Sequence, residues 1–177
     1  MSTVFVTTPR LVLRELTFDD ADALLEMDSD PEVQRFVGGV PKQRREQAVA
    51  DVEIIRAQYA SNGIGRWSVV LRSTGEWIGW AGIKLFREPM LGRSQFYELG
   101  YRFKRAHWRQ GYATEAALAC RDYARDVLKL TELFAYTEPE HVVSQKVLAR
   151  CGFVAIGEHE HWGRPHTLLR VELAQTR

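Results

Sequence analysis

Residues 107–116 read HWRQGYATEA, and a lone glycine, Gly111, stands directly before an alanine-rich pattern of helical type. The start of a helix leaves several amides without intrahelical acceptors, and the helix dipole adds partial positive charge there. A glycine at that point keeps a Cβ out of the way, so a phosphate-like anion can reach the amides. No acid lies between Glu98 and Glu115, whereas Arg102, Lys104, Arg105 and Arg109 are all basic. The same residues also suit a solvated basic loop that simply ends at a helix. No P-loop motif is present, and no GxGxxG follows a strand, which argues against both of those nucleotide sites.

Other reactive residues are weaker candidates. Cys120 and Cys151 form no CxxC and no metal-ligand spacing, which predicts reduced core thiols. Cys151 sits beside Gly152 at a helix end, where the dipole disfavours a thiolate, so an acyl-carrying role is not expected. His159 and His161 alternate on one strand, with His166 across a turn. Solvated hairpin histidines are the commoner arrangement, and no metal is expected. Trp67, Trp77, Trp80 and Trp108 read as core residues, and KQRR at 42–45 as a solvated helix face.

The elements that must position these residues follow from composition and period. The chain has 177 residues, 45% of them hydrophobic, and a formal net charge of +1. One domain over 1–177 is expected, with no charge bias toward nucleic acid and no membrane-length apolar run. The polar start MSTVFVTTPR does not resemble a signal peptide, which predicts a cytoplasmic protein. RLVLREL (10–16) alternates as a half-buried strand. Thr17 with Asp20 three residues on predicts a capped helix start, running through Met27. A short helix opens at Pro31, and a longer one spans Lys42–Tyr59 with Ala48, Val52, Ile55 and Tyr59 on one face. RWSVVLR and WIGWAGIKLF flank STGE as a hairpin.

QFYELGYRF (95–103) is the next strand. The helix after Gly111 carries a stripe of Ala113, Ala116 or Ala117, Cys120, Tyr123 or Ala124, and Val127. LFAYT is a short strand before Pro139. His141–Arg150 is a helix with Val143, Val147 and Leu148 on one side, and FVAIGEHEH and HTLLRVEL close the chain as strands. The order predicts a mixed-sheet α/β domain in which 95–103 and 132–137 are parallel neighbours joined through a helix.

Taken together, TPRLVLREL, YELGYRF, WRQGYATEA and EHVVSQKVLARCGF resemble the successive motifs of the GNAT superfamily of N-acetyltransferases. The group resembled is the ribosomal-protein-alanine acetyltransferase type. The resemblance spans nearly the whole chain in the right order. It implies a GNAT-like acyl-CoA N-acyltransferase fold, a central mixed and mostly antiparallel sheet flanked by helices, with a splayed parallel strand pair. Acetyl-CoA is implied in the gap, its pantetheine arm beside the backbone of Tyr101, Arg102 and Phe103. Its pyrophosphate is implied on the amides of Arg109, Gln110, Gly111, Tyr112, Ala113 and Thr114. Two positions depart from the family pattern: Arg109 stands where glycine is frequent, and His141 where asparagine often contacts the cofactor.

The implied reaction is direct attack of an amine on the thioester, which needs a proton acceptor, an oxyanion donor and protonation of the leaving thiolate. Strand alternation puts Glu98, Gly100 and Arg102 on one face and Tyr97, Leu99, Tyr101 and Phe103 on the other. Glu98 is the candidate base, directly or through water; the competing role is an ion pair with a nearby arginine or an orienting carboxylate. Many family members carry an acidic tyrosine where this chain has Leu148. Ser144, one turn earlier on the same helical face, is the alternative donor to sulfur, against a local backbone-bonding serine. The implied acceptor is a small-molecule amine or a protein N-terminus, and a homodimer is left open. Glu138, Glu140, Glu158 and Glu160 would suit a cationic acceptor. A non-catalytic acyl-CoA sensor with the same cradle is the alternative function.

Overall fold

The computed structural model describes residues 2–37, 39–87, 94–161 and 163–174, the side chain of His161 excepted. The predicted loop 86–94 thus lies mostly outside the described residues. Eight strands form one sheet: β1 (Val4–Thr7), β2 (Leu11–Glu15), β3 (Arg66–Leu71), β4 (Trp77–Phe86), β5 (Phe96–Phe103), β6 (Glu132–Thr137), β7 (Val154–His161) and β8 (Arg164–Glu172). Their spatial order is β1-β2-β3-β4-β5-β6-β8-β7. Every neighbouring pair is antiparallel except β5 and β6. The helices are α1 (Ala21–Asp28), α2 (Pro31–Gln34), α3 (Arg45–Asn62), α4 (Tyr112–Asp126) and α5 (Val142–Arg150).

The two faces of the sheet are covered differently. Inward residues of β2–β6, among them Leu13, Trp67, Ile83, Leu99 and Leu133, pack with Ala116, Ala117, Cys120 and Ala124 of α4 and Val147 and Leu148 of α5. Small residues along α4 let its backbone lie close to the sheet. On the other face, Leu24, Met27, Ala48 and Val52 of α1 and α3 pack on Val70 and Trp77. Each fully buried aliphatic side chain contributes about 1.5–3 kcal/mol.

Several sequence expectations need correction, among them Trp108, read as core but 41% exposed. β1 falls within the segment read only as a polar start; four residues at a sheet edge give too short an alternation to register, and Phe5 earns its place by stacking on Trp67 with ring centroids 4.8 Å apart. Val127 and Val143, assigned to buried stripes, are 57% and 70% exposed. Val127 is the cap residue after the last turn of α4, and Val143 lies in the first turn of α5, both beyond the reach of the sheet.

Candidate active site

The site begins at a fork. β4 and β5 pair along eight positions, from Phe86↔Phe96 to Gly79↔Phe103. β5 and β6 share one ladder position, Glu98↔Phe134, so Leu99–Phe103 run on without a β6 partner. The Lys104 N–H bonds Ile78 O at 2.9 Å, and the Arg102 carbonyl lies against Gly79, both toward β4. By strand alternation the backbone groups of Tyr101 and Phe103 turn to the open side. The Phe103 carbonyl accepts from Trp108 Nε1 at 2.8 Å. Of the three residues read as flanking a pantetheine arm, Tyr101 and Phe103 therefore face the fork and Arg102 faces away.

At the upper end of the fork lies the start of α4. Gly111 is its N-cap at φ 82°, with no side-chain cap on the first-turn amides. A Cβ at Gly111 would meet nothing closer than Arg10 Nη2 at 3.3 Å, so what glycine supplies here is the left-handed backbone rather than room. Arg109 is also left-handed, at φ 60°. Arg10 braces the turn from the β1–β2 loop: Nη1 donates to Gln110 O at 2.9 Å and Nε to Glu115 at 2.6 Å. Glu115 also accepts from Thr8 Oγ1 at 2.6 Å and the Arg10 amide at 3.0 Å. Burial pushes its carboxyl up, but those bonds outweigh it and hold the group below the usual carboxylate range. Tyr112, Ala113 and Thr114 form the first turn of α4, half-buried beneath the glycine.

The basic run before the glycine is not a free phosphate cluster. Arg102 pairs with Asp28 at 2.8 Å, Lys104 with Glu26 at 2.7 Å and Arg105 with Asp30 at 2.9 Å. These cations fasten the end of β5 to the C-terminal end of α1. Arg109 is exposed, and among the described residues no ion pair holds it. The 42–45 run is likewise engaged: Lys42 bonds Asp28 at 3.1 Å and also pairs with Asp51.

Glu98 sits at the branch point and is 3% exposed. Its carboxylate is paired with Arg66 of β3, which reaches across β4. Arg66 Nη1 donates to Gly82 O at 2.7 Å and Glu98 O at 3.2 Å. A Cβ at Gly100 would fall 2.6 Å from Arg66 Nη2, so glycine there is what lets the guanidinium through. The ring of Trp80 lies under both Arg66 and Arg102, at 5.2 and 5.3 Å. Next to it a cavity of about 140 Å³ opens between Leu24, Ile54, Ile55 and Arg102.

α5 closes the other side of the fork. Ser144 Oγ is 3.0 Å from the Tyr101 hydroxyl, which is also 3.2 Å from Ser144 O. Tyr101 entered the sequence reading through its backbone alone; its phenol was missed because the partner is 43 residues away. Burial pushes that phenol above its ordinary value, against the hydrogen bond with Ser144. Leu148, at the position noted for lacking a phenol, is 1% exposed and packed in the core. His141 is the N-cap of α5 and stacks on Phe36, with centroids 4.4 Å apart and planes at 10°. Burial holds its imidazole below the usual value, opposed by Glu138.

The remaining candidates lie elsewhere. Cys120 and Cys151 are buried, free thiols, and burial pushes Cys151 up to about 11, which leaves it inert at neutral pH. His159 and His166 face each other on β7 and β8. Among the described residues no group of three potential ligands could hold a metal. Glu138 is paired with Arg164. No helix among the described residues is long and apolar enough to cross a membrane.

A strand fork opening onto an uncapped, glycine-led helix fits a thioester on a long arm that leads to a diphosphate. Comparison with known proteins gives the same class. The family model for the acetyltransferase (GNAT) domain matches residues 10–154. An uncharacterized N-acetyltransferase, p20, of Bacillus licheniformis is 34% identical over 146 residues, covering 82% of this chain and 80% of that protein. The crystal structure of an acetyltransferase from Agrobacterium tumefaciens superposes with a TM-score of 0.79 at 30% identity, covering 94% and 93% of the two chains. The fold is shared as well by a ribosomal-protein-S5-alanine acetyltransferase from Vibrio fischeri, with a TM-score of 0.72, 19% identity and 98% and 97% coverage. The chain belongs to the GNAT acetyltransferase family, and is an acetyl-CoA-dependent acyltransferase.

Proposed function

We propose that the protein moves the acetyl group of acetyl-CoA to a primary amine, either a protein N-terminal α-amine or a small-molecule amine. The observation that carries this is the fork: the backbone of Tyr101 and Phe103, turned away from β4 and without a β6 partner, leads to uncapped amides at Gly111–Thr114. Those amides with the α4 dipole bind the diphosphate, and the exposed Arg109 guanidinium adds a phosphate contact. His141 takes the cofactor-facing position at the head of α5, its ring fixed by Phe36.

For the chemistry, Ser144 is the donor to the leaving sulfur. Glu98 has two readings, and its pairing with Arg66 favours an orienting strut over a base: a carboxylate held by a guanidinium and 3% exposed is poorly placed to reach an amine. Water in the fork then carries the proton away.

The test is thiol release from acetyl-CoA over N-terminal peptides, polyamines, amino acids and aminoglycosides. Turnover with one class is the expected result; acetyl-CoA binding with no release on any amine would replace the enzyme reading by an acyl-CoA sensor. Glu98→Gln separates the two roles. Loss of the Arg66 pair lowers Tm on either reading; a strut predicts kcat within about tenfold of wild type, whereas a base predicts a loss of about 100-fold or more.

A further inference from the structure

The hydroxyl contact between Tyr101 and Ser144 spans the fork, since β5 carries one residue and the helix after β6 the other. It lies three residues beyond Glu98, the last position where the two strands pair. Tyr101 turns its backbone to the cofactor side, and its phenol reaches over to the first turn of α5. The buried Leu148 offers no proton. We infer that Tyr101 is the positioning and proton-supplying partner of Ser144, so that the two hydroxyls act as one donor to the departing thiolate. This rests on the acetyl-transfer reading above and adds a residue to it.

The amine nitrogen bonds to the thioester carbon and gives up a proton to solvent. Collapse of the adduct breaks the C–S bond, and the electron pair leaves on sulfur. Ser144 Oγ–H passes its proton to sulfur while Tyr101 Oη–H replaces it on Oγ. The phenolate recovers a proton from solvent, equivalent to the one the amine released. Burial pushes the phenol up, and a thiolate formed in the same enclosure is likewise disfavoured against its protonated form. Among the described residues, the buried Cys151 at the C-terminal end of α5 is the titratable group whose charge also bears on the phenol.

Tyr101→Phe keeps the ring and removes the proton. Its kcat for thiol release is expected to fall about ten- to a hundredfold, with the calorimetric Kd for acetyl-CoA within twofold of wild type. 3-Fluorotyrosine at position 101 should restore turnover and move the alkaline limb of kcat to lower pH, which a merely structural phenol would not do. Turnover of Tyr101→Phe within twofold of wild type, or an unmoved limb, overturns the inference; if Tyr101→Phe does not fold, the fluorinated protein alone decides. Both assays are run on amine transfer and on slow hydrolysis of acetyl-CoA by water. Loss of hydrolysis in Tyr101→Phe with no amine accepted sustains the inference and removes the amine reading. Amine transfer unaffected by Tyr101→Phe does the reverse, and no thiol release of either kind ends both.

Discussion

Two of the chain segments that lead into helices treat the same problem in opposite ways. At 17–20 the chain enters α1 through a closed set of bonds. The Asp20 carboxylate accepts from the Thr17 amide at 2.9 Å, from both Arg14 nitrogens at 2.7 and 2.8 Å, and from Ser68 Oγ at 2.9 Å. Trp77 Nε1 in turn donates to Ser68 at 2.9 Å. At 109–112 the chain enters α4 through two left-handed residues with no side-chain cap. Arg10 and Glu115 hold the turn from outside and leave its amides alone. A helix start that supplies its own anion is a structural joint. One that is braced but uncapped is complementary to an anion brought by something else.

The sharpest way to break the comparison is to remove the internal anion. Asp20 is 5% exposed, and Asp20→Asn leaves Arg14 unpaired, with an expected loss of about 3–5 kcal/mol by urea unfolding. Burial raises the Asp20 carboxyl, but Arg14, Thr17 and Ser68 outweigh it and the folded value lies below the unfolded one. The stability it gives is therefore complete above about pH 4, the unfolded value, and is lost as pH falls through the lower folded value. The gap between wild type and Asp20→Asn should accordingly shrink in acid. A gap that stays constant from pH 6 to pH 3 would mean that the carboxylate charge is not what closes this joint.

The converse change gives the open helix start an anion of its own. Gly111→Asp puts a carboxylate before the α4 amides in a left-handed conformation that aspartate tolerates better than most residues. Strain of about 1–2 kcal/mol and attraction to the helix dipole oppose each other, so the apo Tm should move by only a few degrees. The calorimetric Kd for acetyl-CoA should rise about ten- to a hundredfold, or about 1.4–2.8 kcal/mol. If it stays within twofold, the diphosphate does not sit on these amides.

Legibility in the sequence followed the same divide. Thr17 with Asp20 three residues on is a local signal; the capping box it predicts closes a 3-10 turn at Phe18–Asp20, and α1 follows from Ala21. The parallel pairing of β5 with β6 followed from a strand–helix–strand order, and Gly111 before α4 from a single residue type. What could not be read was whatever depends on register. The absence of acids between Glu98 and Glu115 suggested free cations, yet the acids that engage three of them lie on or just beyond α1, more than 70 residues earlier. Arg66 meets Glu98 only because Gly82 and Gly100 stand side by side in adjacent strands, and no periodicity along one strand shows that. The Tyr101–Ser144 contact needs the fork itself.

Arg109 lies between the two behaviours. A glycine there would adopt φ 60° without penalty, whereas an arginine carries about 1 kcal/mol for it. Arg109→Gly relieves that cost but gives the unfolded chain about 0.5–1 kcal/mol more entropy, so stability should change by less than about 0.5 kcal/mol. Affinity is a separate matter. An exposed guanidinium on a phosphate contributes about 0.2–1 kcal/mol, so the Kd for acetyl-CoA should rise about two- to fivefold, and the difference should fade with added salt as screening grows. Arg109→Lys should keep part of the effect, having charge without the fork. If glycine binds acetyl-CoA as tightly as arginine at low salt, the strained conformation serves the backbone cradle alone and the guanidinium has no share in holding the cofactor.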